Sequence, residues 1–418
     1  MAESIDWDFI ASLEGKGVTT GYVPDAAGSN SGVTIATGFD LGQRNETDLT
    51  NLGLSSALVT KFKPYLGKKG KDAADFLKTN PLTVTDAEAT EIDNAVRAQK
   101  VPALKQKYLN SPDNKANVIF DDLPSQAQTV IASVSFQYGD LSSKAPKFWT
   151  AVSAQNWEES VKILRNFQDK YPTRRNKEAD LLDQIIKHEE SMWKLLPIIG
   201  WWFVFLIIFA GVACEKGLSQ TKTIIYDEKL AEAYKNYETS IAQKRPKLSF
   251  ESGGEVSNCT EYWRESEKSE IKEEVVNMLY HSEYMICDAL KILKKSANSD
   301  KVSSESKSKV NYGQEIYSRL DLKSFPSSLG PRLDDKSTFE SQKENMLPKI
   351  EPLAVISDTK DWNFAVSVIA ETDVNNNEKT DLIVSIVDEA KVGNYRNYST
   401  YIIYDIENQG LLKAQKFQ

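Results

Sequence analysis

The chain has 418 residues and a formal net charge of −9, with 40% apolar and 27% charged residues. This length corresponds to two or three ordinary domains, and the composition excludes fully disordered and fibrous classes. The acidic balance argues against a dedicated nucleic-acid binder, which needs a basic surface, so no nucleic-acid partner is expected.

The first predicted element is a short helix that begins near Ser4 and stops before Gly15. Ile5, Phe9 and Ile10 recur at near-helical spacing, and Glu14 falls in the last turn. Residues 15–32 are rich in Gly, Asn, Pro and Ser, which predicts a loop, and residues 31–38 alternate as a half-buried strand and turn do. The helix would therefore deliver a carboxylate beside a β-hairpin.

Further helices are expected along the first 190 residues. Thr85 and Glu88 form a capping-box pattern that begins a helix running to about Arg97. Two more helices are expected over residues 124–136 and 156–168. Residues 1–190 are thus predicted to form a mainly helical domain with a small β-hairpin.

The residue types absent from this domain narrow its chemistry. The histidines are His188 and His281, and the cysteines are Cys214, Cys259 and Cys287, so residues 1–187 contain neither type. A thiol protease, a Ser-His-Asp hydrolase and the usual His-ligated zinc enzyme are therefore excluded there. If the domain is an enzyme, we expect carboxylates to carry the chemistry, without a cofactor.

Cleavage of a glycosidic bond needs one protonated carboxyl and a second polar group that positions water. Glu14 follows Ile10 by four residues, which places it on the apolar side of the helix, where desolvation raises a carboxyl pKa. Thr34 and Asp40 lie six residues apart around a turn, and Asp25 is an alternative carboxylate. Since many helices end with a glutamate, these positions alone do not decide between an enzyme and a non-catalytic domain.

Residues 5–182 resemble the phage-lysozyme family, and most closely its bacteriocin branch, the pesticin-type muramidase domain. The stretches that carry the resemblance are SLEG (12–15), GYVPD (21–25), SGVTIATGFDLGQ (31–43), LTVTDAEATEIDNAVR (82–97), FDDLPSQAQ (120–128), FQYG (136–139), NWEES (156–160) and YPTRRNKEA (171–179). They follow the order and spacing of the family along nearly the whole domain.

The resemblance implies hydrolysis of the β-1,4 bond between N-acetylmuramic acid and N-acetylglucosamine in peptidoglycan. It implies that Glu14 is the catalytic acid, that Thr34 helps to hold the attacking water, and that Asp40 is the second carboxylate. Asp25 stays an alternative, since the phage enzymes carry the second carboxylate before the threonine. Arg174 resembles the family's arginine that ion-pairs with the catalytic glutamate, and a slip of one residue to Arg175 stays open.

An apolar segment follows this domain. Leu195 to Cys214 is 20 residues without a charge, and about 20 helical residues at about 1.5 Å each span the roughly 30 Å bilayer core. The segment is preceded by Met192-Trp193-Lys194 and ends with Gly-Val-Ala-Cys. Together these stretches resemble a bacterial lipoprotein signal with Cys214 as the lipidated residue. Residues 192–214 are therefore predicted to be either a transmembrane anchor or a lipoprotein signal.

The rest of the chain divides into three predicted regions. Residues 215–297 are predicted to be helical, residues 298–350 to be a linker or an extended wrapping segment, and residues 351–418 to be a small antiparallel sheet. The fold class of the whole chain is therefore α+β. If Cys214 carries lipid, Cys259 and Cys287 remain as an even pair, either as a disulfide or as two buried thiols.

One motif in the last region has the spacing of a calcium loop. Asp373, Asn375, Asn377 and Asp381 form D-x-N-x-N-x-x-x-D, but Glu378 stands where the usual glycine would be. A charged hairpin loop is the favoured interpretation, and calcium is a weak candidate.

These observations lead to one functional hypothesis with two alternatives. A lysozyme-like toxin that ends near His188 would act in the bacterial periplasm and cell wall. A lipoprotein-like partner that begins at Met192 would be membrane-associated in the periplasm and would act as the toxin's immunity protein. The alternatives are a membrane-anchored muramidase for wall remodelling or phage release, and a non-catalytic peptidoglycan-binding module.

Overall fold

The protein is an α+β chain with about 47% helix and 18% strand, which confirms the predicted fold class. The structure is a computed structural model. It describes residues 5–14, 18–23, 31–193, 223–272, 280, 283–296, 302–303, 311–391, 393 and 395–417. We refer to residues 5–193 as the N-terminal domain and to the described residues from 223 onward as the C-terminal half.

The N-terminal domain is mainly helical. Its helices are α1 (Trp7–Glu14), α2 (Glu46–Asn51), α3 (Ser56–Phe62), α4 (Gly70–Thr79), α5 (Asp86–Leu109), α6 (Ser125–Tyr138), α7 (Leu141–Lys144), α8 (Pro146–Ser153), α9 (Trp157–Arg165) and α10 (Pro172–Trp193). Its three strands, β1 (Val18–Tyr22), β2 (Thr34–Ala36) and β3 (Phe39–Asp40), form an antiparallel sheet in that order.

Local signals account for the main helices. At the start of α5, the Glu88 carboxylate accepts from the Thr85 backbone N–H at 2.7 Å and the Thr85 hydroxyl accepts from the Glu88 N–H at 3.2 Å, which confirms the predicted capping box. This helix continues beyond Arg97, because Val101, Leu104 and Tyr108 extend its buried face. Helices α6 and α9 match the two further helices expected.

The domain packs around the almost wholly buried helix α6. Ala127, Val130, Ile131 and Val134 of this helix are fully buried. A second, smaller core lies under the hairpin, where the buried residues Ile35, Leu41, Leu58, Phe62 and Ile92 pack together. The hairpin is therefore held on its own apolar base, which fixes the positions of the residues along β2 and β3.

The C-terminal half is built on an eight-stranded sheet. Its strands are β4 (Thr223–Ile225), β7 (Val302–Ser303), β8 (Lys349–Glu351), β9 (Ala354–Asp358), β10 (Trp362–Thr372), β11 (Asp381–Ala390), β12 (Arg396–Ile403) and β13 (Ala414–Gln415), and β5 (Leu248–Ser249) pairs with β6 (Glu255–Val256) separately. The main order is β13-β12-β11-β10-β4-β7, with β9 and β8 also joined to β10; all pairs are antiparallel except β4 with β7. The antiparallel sheet predicted for residues 351–418 is present and is enlarged by β4, β7 and β8.

Helices pack beside this sheet. They are α11 (Glu228–Lys235), α12 (Tyr237–Ala242), α13 (Cys259–Ser266), α14 (Met285–Lys295), α15 (Tyr312–Arg319) and α16 (Lys343–Met346). Burial alternates along most of β10, where Phe364, Val366 and Val368 are buried and the residues between them are half-buried. That alternation is the period of two that predicted a strand here.

The region predicted as a linker or wrapping segment is packed where it is described. Residues 311–350 contain α15 and α16, and they bury Leu320, Leu322, Phe325, Leu329 and Phe339. A flexible linker exposes its side chains, so this part of the chain is a wrapping segment. The apolar residues of this segment supply a core.

Among the described residues, none of the helices has both the length and the apolar character needed to cross a membrane. The apolar segment Leu195 to Cys214 lies outside the described residues, and so does the lipidation candidate Cys214. Its role as an anchor or a lipoprotein signal therefore stays a prediction.

Cys259 and Cys287 form a disulfide that joins the start of α13 to α14. Their Cα atoms are 5.3 Å apart, and both residues are fully buried. Of the two states that the sequence left open, the structure contains the disulfide. Such bonds persist in oxidising compartments.

We predict that replacing both Cys259 and Cys287 by alanine lowers the free energy of unfolding of the full chain by about 2–4 kcal/mol, because the bond closes a loop of 28 residues. Urea unfolding measures the change. As a control, the denatured, unlipidated wild type should take up one alkyl group before reduction, at Cys214, and three after it. Uptake of three groups without reduction would contradict the disulfide.

A buried carboxylate joins the wrapping segment to the sheet. Asp388 on β11 accepts hydrogen bonds from the Ser328 backbone N–H at 2.7 Å, the Ser328 hydroxyl at 2.6 Å and the Trp362 indole at 2.6 Å. Burial raises the pKa of Asp388 to about 6, and the hydrogen bonds from Ser328 and Trp362 oppose part of that shift.

We predict that this carboxylate makes stability decrease as the pH rises. The folded state holds the proton up to about pH 6, while an unfolded aspartate releases it near pH 4, so the folded state is favoured most at low pH. Lowering the pH from 7 to 4 should therefore stabilise the wild type relative to Asp388→Asn by about 2–3 kcal/mol in urea unfolding. A difference that stays constant over this range would refute the shift.

Candidate active site

A cavity of about 670 Å³ lies beside the hairpin. The N-terminal domain lines it with residues of α1, the hairpin, α5 and α6, and the C-terminal half lines it with residues of β9, β10, β11 and β12. They include Trp7, Ile10, Asp40, Asp93, Arg97, Phe136, Asp358, Asn363, Glu389 and Arg396. This volume is typical of a site for a small ligand or a few sugar units.

Asp40 is held at the wall of this cavity by the backbone around it. Its Oδ1 atom accepts from the Gly32 N–H at 2.9 Å and from the Gly42 N–H at 2.8 Å, the second as the N-cap of the 3₁₀ turn Leu41–Gln43. Burial raises the pKa of Asp40, and these hydrogen bonds and the charges of Arg396 and Lys69 oppose the shift. The carboxyl group therefore has a defined orientation and a proton affinity above the ordinary one.

Thr34 lies directly opposite Asp40 in the hairpin, because the two residues are partners in the register of β2 and β3. Side chains of opposed residues in an antiparallel pair project from the same face of the sheet. Thr34 is buried, and its hydroxyl donates to the Gly32 carbonyl at 3.2 Å. The structure thus brings together two of the three predicted catalytic residues.

Glu14 is the last residue of α1. It follows Trp7 by seven residues and Ile10 by four, and both of these line the cavity, so its backbone position lies on the face of α1 that borders the cavity. Its side chain is outside the described part of the structure, as is the whole of Asp25. The role of Glu14 and the choice between Asp40 and Asp25 therefore stay predictions.

Arg174 and Arg175 are both buried in an ionic network between α10 and α6. Arg174 donates to the Glu178 carboxylate and to the Ser133 carbonyl, each at 3.1 Å. Arg175 pairs with Asp169 at 2.9 Å and with the other oxygen of Glu178. The predicted ion pair between Arg174 and Glu14 involves a side chain outside the described residues, so it remains a prediction.

Sequence reasoning missed several residues of the cavity. Asp93 on α5 accepts from the Thr37 hydroxyl at 2.8 Å and so joins the hairpin turn to this helix. The Arg97 guanidinium lies 4.6 Å from the ring centroid of Trp7. Phe136 is partly buried and also lines the cavity. Helical spacing along one face of α5 was the sequence signal that could have predicted this wall of the cavity. The charged residues with that spacing are Asp86, Asp93, Arg97 and Lys100.

The calcium motif lies in the loop between β10 and β11, where its carboxylates bind backbone groups. Asp373 accepts from the N–H groups of Asn377 at 3.0 Å and Glu378 at 2.8 Å. Asp381 accepts from the N–H groups of Val374 and Asp405, each at 2.8 Å. The described residues contain no group of three or more His, Cys, Asp or Glu side chains arranged for a metal ion. This geometry agrees with the favoured charged hairpin loop, and calcium stays a weak prediction.

Residues 4–158 match the family described as pesticin, a bacterial toxin homologue of phage lysozyme. This part of the chain is therefore similar to the pesticin-like homologues of phage lysozyme, and the similarity supports glycoside hydrolase activity at the level of the family.

The matched range includes α1, the hairpin and most of the cavity wall on α5 and α6, but it ends before Arg174. The predicted resemblance of the C-terminal half to a lipoprotein or an immunity protein has no support from this match. No curated protein matches the chain.

We predict that Arg175→Leu lowers the free energy of unfolding by about 3–5 kcal/mol, because it leaves the buried Asp169 without a partner charge and removes one of the two arginines that pair with the buried Glu178. The exposed pair of Arg165 and Asp180 provides the matched control, since Arg165→Leu should cost less than about 1 kcal/mol. Chemical unfolding of the full chain measures both. Equal losses of unfolding free energy in the two variants would show that the buried network stabilises the fold no more than an exposed ion pair does.

Proposed function

We propose that the N-terminal domain is a muramidase that cleaves the β-1,4 bond between N-acetylmuramic acid and N-acetylglucosamine in peptidoglycan. The observation that carries the proposal is the family match over residues 4–158, which includes the hairpin with Asp40 at the wall of the cavity. The absence of His and Cys from residues 1–187 agrees with chemistry performed by carboxylates.

In the proposed mechanism, Glu14 protonates the glycosidic oxygen as the bond breaks. Asp40 and Thr34 position and activate a water molecule on the other face of the sugar, and no cofactor takes part. In the same single displacement, water attacks the anomeric carbon and gives a proton to Asp40, so the configuration at that carbon is inverted. Asp25 is the alternative second carboxylate.

The geometry at Asp40 supports this role. Two backbone N–H groups fix the carboxylate, so little reorganisation is needed when it orients water. Opposed strand positions place Thr34 beside it. The partly buried aromatic rings of Trp7 and Phe136, whose centroids are 5.5 Å apart, supply an apolar surface at the same cavity against which a sugar ring can pack.

We further propose that the muramidase is an antibacterial toxin and that the C-terminal half is its protecting partner, carried to the periplasm as a lipoprotein through residues 192–214. The family's description as a bacterial toxin homologue supports the first part. The disulfide of the C-terminal half supports a periplasmic location.

A membrane-anchored muramidase for wall remodelling or phage release is the competing proposal, and it requires the full chain to be active. The other alternative, a non-catalytic peptidoglycan-binding module, requires no hydrolysis.

We predict that Glu14→Gln lowers the rate of peptidoglycan hydrolysis by residues 1–193 at least about 100-fold, because the amide cannot donate the proton. Release of reducing sugar ends from purified peptidoglycan measures the rate, and circular dichroism of each variant checks that the fragment is folded. NMR of the first product should show an inverted anomeric carbon.

Asp40→Asn and Asp25→Asn form a matched pair for the second carboxylate. We expect the Asp40 variant to lose activity and the Asp25 variant to keep it. The reverse result would transfer the role to Asp25, and an active Glu14→Gln variant would remove the proposed mechanism.

A further inference from the structure

The C-terminal half closes one side of the candidate active site. Strand β9 contributes Ile356 and Asp358 to the wall of the cavity, β10 contributes Asn363, and β12 contributes Arg396. These residues lie on the same cavity as Asp40, Trp7 and Phe136 of the N-terminal domain. A polymeric glycan needs a groove that is open along its length, and here residues of the C-terminal half form one wall of the cavity.

A positive charge from the C-terminal half is placed near the predicted catalytic carboxylate. Arg396 begins β12, and its guanidinium donates to the carbonyl groups of Tyr395, at 2.8 Å, and Ala390. Its charge acts on Asp40 and opposes the rise of the Asp40 pKa that burial causes. The Arg396 carbonyl accepts from the Tyr171 hydroxyl of the N-terminal domain. This arginine is therefore held from both sides of the contact.

The backbones of the two parts fit closely at two glycines. A Cβ atom at Gly393 would overlap the Gln137 carbonyl at the end of α6, and one at Gly330 would overlap the Gln168 carbonyl. Beside these contacts, the Tyr395 N–H donates to the Gln137 carbonyl at 3.0 Å and the Ser327 N–H donates to the Gln168 carbonyl at 3.1 Å. The C-terminal half thus supplies hydrogen-bond partners to carbonyl groups of the N-terminal domain.

Aromatic side chains make this contact stable. The ring centroid of Tyr138 lies 5.1 Å from that of Tyr395 and 5.8 Å from that of Trp362, and Tyr171 lies 5.2 Å from Tyr395. All four side chains are less than 5% exposed. Buried tyrosine and tryptophan side chains at the centre of a contact carry most of the binding energy in protein interfaces.

We infer that the C-terminal half is a built-in inhibitor of the lysozyme-like domain, which seals the glycan cavity with strands β9, β10 and β12 and brings Arg396 to the cavity that Asp40 borders. The inference rests on the proposed function and names the regulation of the same site. The partner that this surface recognises is a lysozyme-like domain, in the same chain or as a separate molecule. Substrate enters only when the contact around Gly393 and Tyr395 separates.

The test uses the full chain and two variants that act on the contact in different ways. In Gly393→Val the added side chain collides with Gln137 of the N-terminal domain, while the three atoms nearest to the added Cβ include none of the C-terminal half. In Arg396→Gln the charge beside Asp40 is removed. The exposed substitutions Ala242→Leu and Arg264→Gln, which match the two changes in volume and charge, are the controls.

Two properties are measured for each protein: hydrolysis of purified peptidoglycan, and binding of the N-acetylglucosamine trisaccharide followed by tryptophan fluorescence. We expect the wild type and both controls to show little of either. Gly393→Val should increase both by about tenfold or more, and Arg396→Gln should increase them to a smaller extent. Alkylation of the non-reduced protein checks that the disulfide of each variant is intact.

The outcomes separate this inference from the proposed function. Trisaccharide binding that rises in Gly393→Val without hydrolysis would support the seal and refute the muramidase. A wild-type chain that hydrolyses and binds as well as Gly393→Val would refute the seal and leave the muramidase standing. If neither variant gains binding or hydrolysis while each keeps its disulfide, the inhibitory contact is refuted.

Discussion

The structure depends on a close contact between the connection from β11 to β12 and the carboxyl end of helix α6. At that point Gly393 passes the Gln137 carbonyl without room for a side chain, and the Tyr395 N–H binds the same oxygen. A helix leaves its last carbonyl groups without partners within the helix, so this contact satisfies a group that otherwise needs water. The aromatic core around Tyr138 and the placement of Arg396 both follow from it.

The shared core makes the two parts one packed body in the region described. One continuous cluster of buried residues includes Ile131 and Tyr138 of the N-terminal domain together with Trp362 and Tyr395 of the C-terminal half. Burial of such side chains is the dominant favourable contribution to association. The close fit restricts the residue at this position to glycine, because any larger side chain at Gly393 would collide with the backbone of the N-terminal domain. An interface of this kind suits a partner that must bind one domain and no other.

The bonding partners of the buried carboxylates distinguish the structural ones from the candidate catalytic one. Glu178 is held by Arg174 and Arg175, and Asp388 is held by Ser328 and Trp362, so neither has a free face toward the cavity. Asp40 is also anchored by the backbone, but it borders the cavity. A carboxylate fixed on one side and accessible on the other is the arrangement that acid-base catalysis requires.

Much of the local structure followed from the sequence alone. The near-helical spacing before Gly15 predicted α1 with Glu14 at its end, and the Thr85–Glu88 pattern predicted the start of α5. These features depend on residues within a few positions of each other, so propensity and periodicity suffice to predict them. The chemistry expected of Glu14, Thr34 and Asp40 also came from the sequence, through its resemblance to a family. The position of Asp40 at a cavity wall required the fold.

Only the tertiary structure decided what surrounds that site. Arg396 lies more than 350 residues from Asp40 along the chain, and no local pattern records that the two are close. The sequence left a linker or a wrapping segment open for residues 298–350, because the apolar residues of the described part become a core only where they pack against the sheet. The sequence by itself therefore determined the elements and the candidate chemistry. Packing between distant segments decided which face of the hairpin is enclosed, because contacts across such separations depend on the whole folded chain rather than on neighbouring residues.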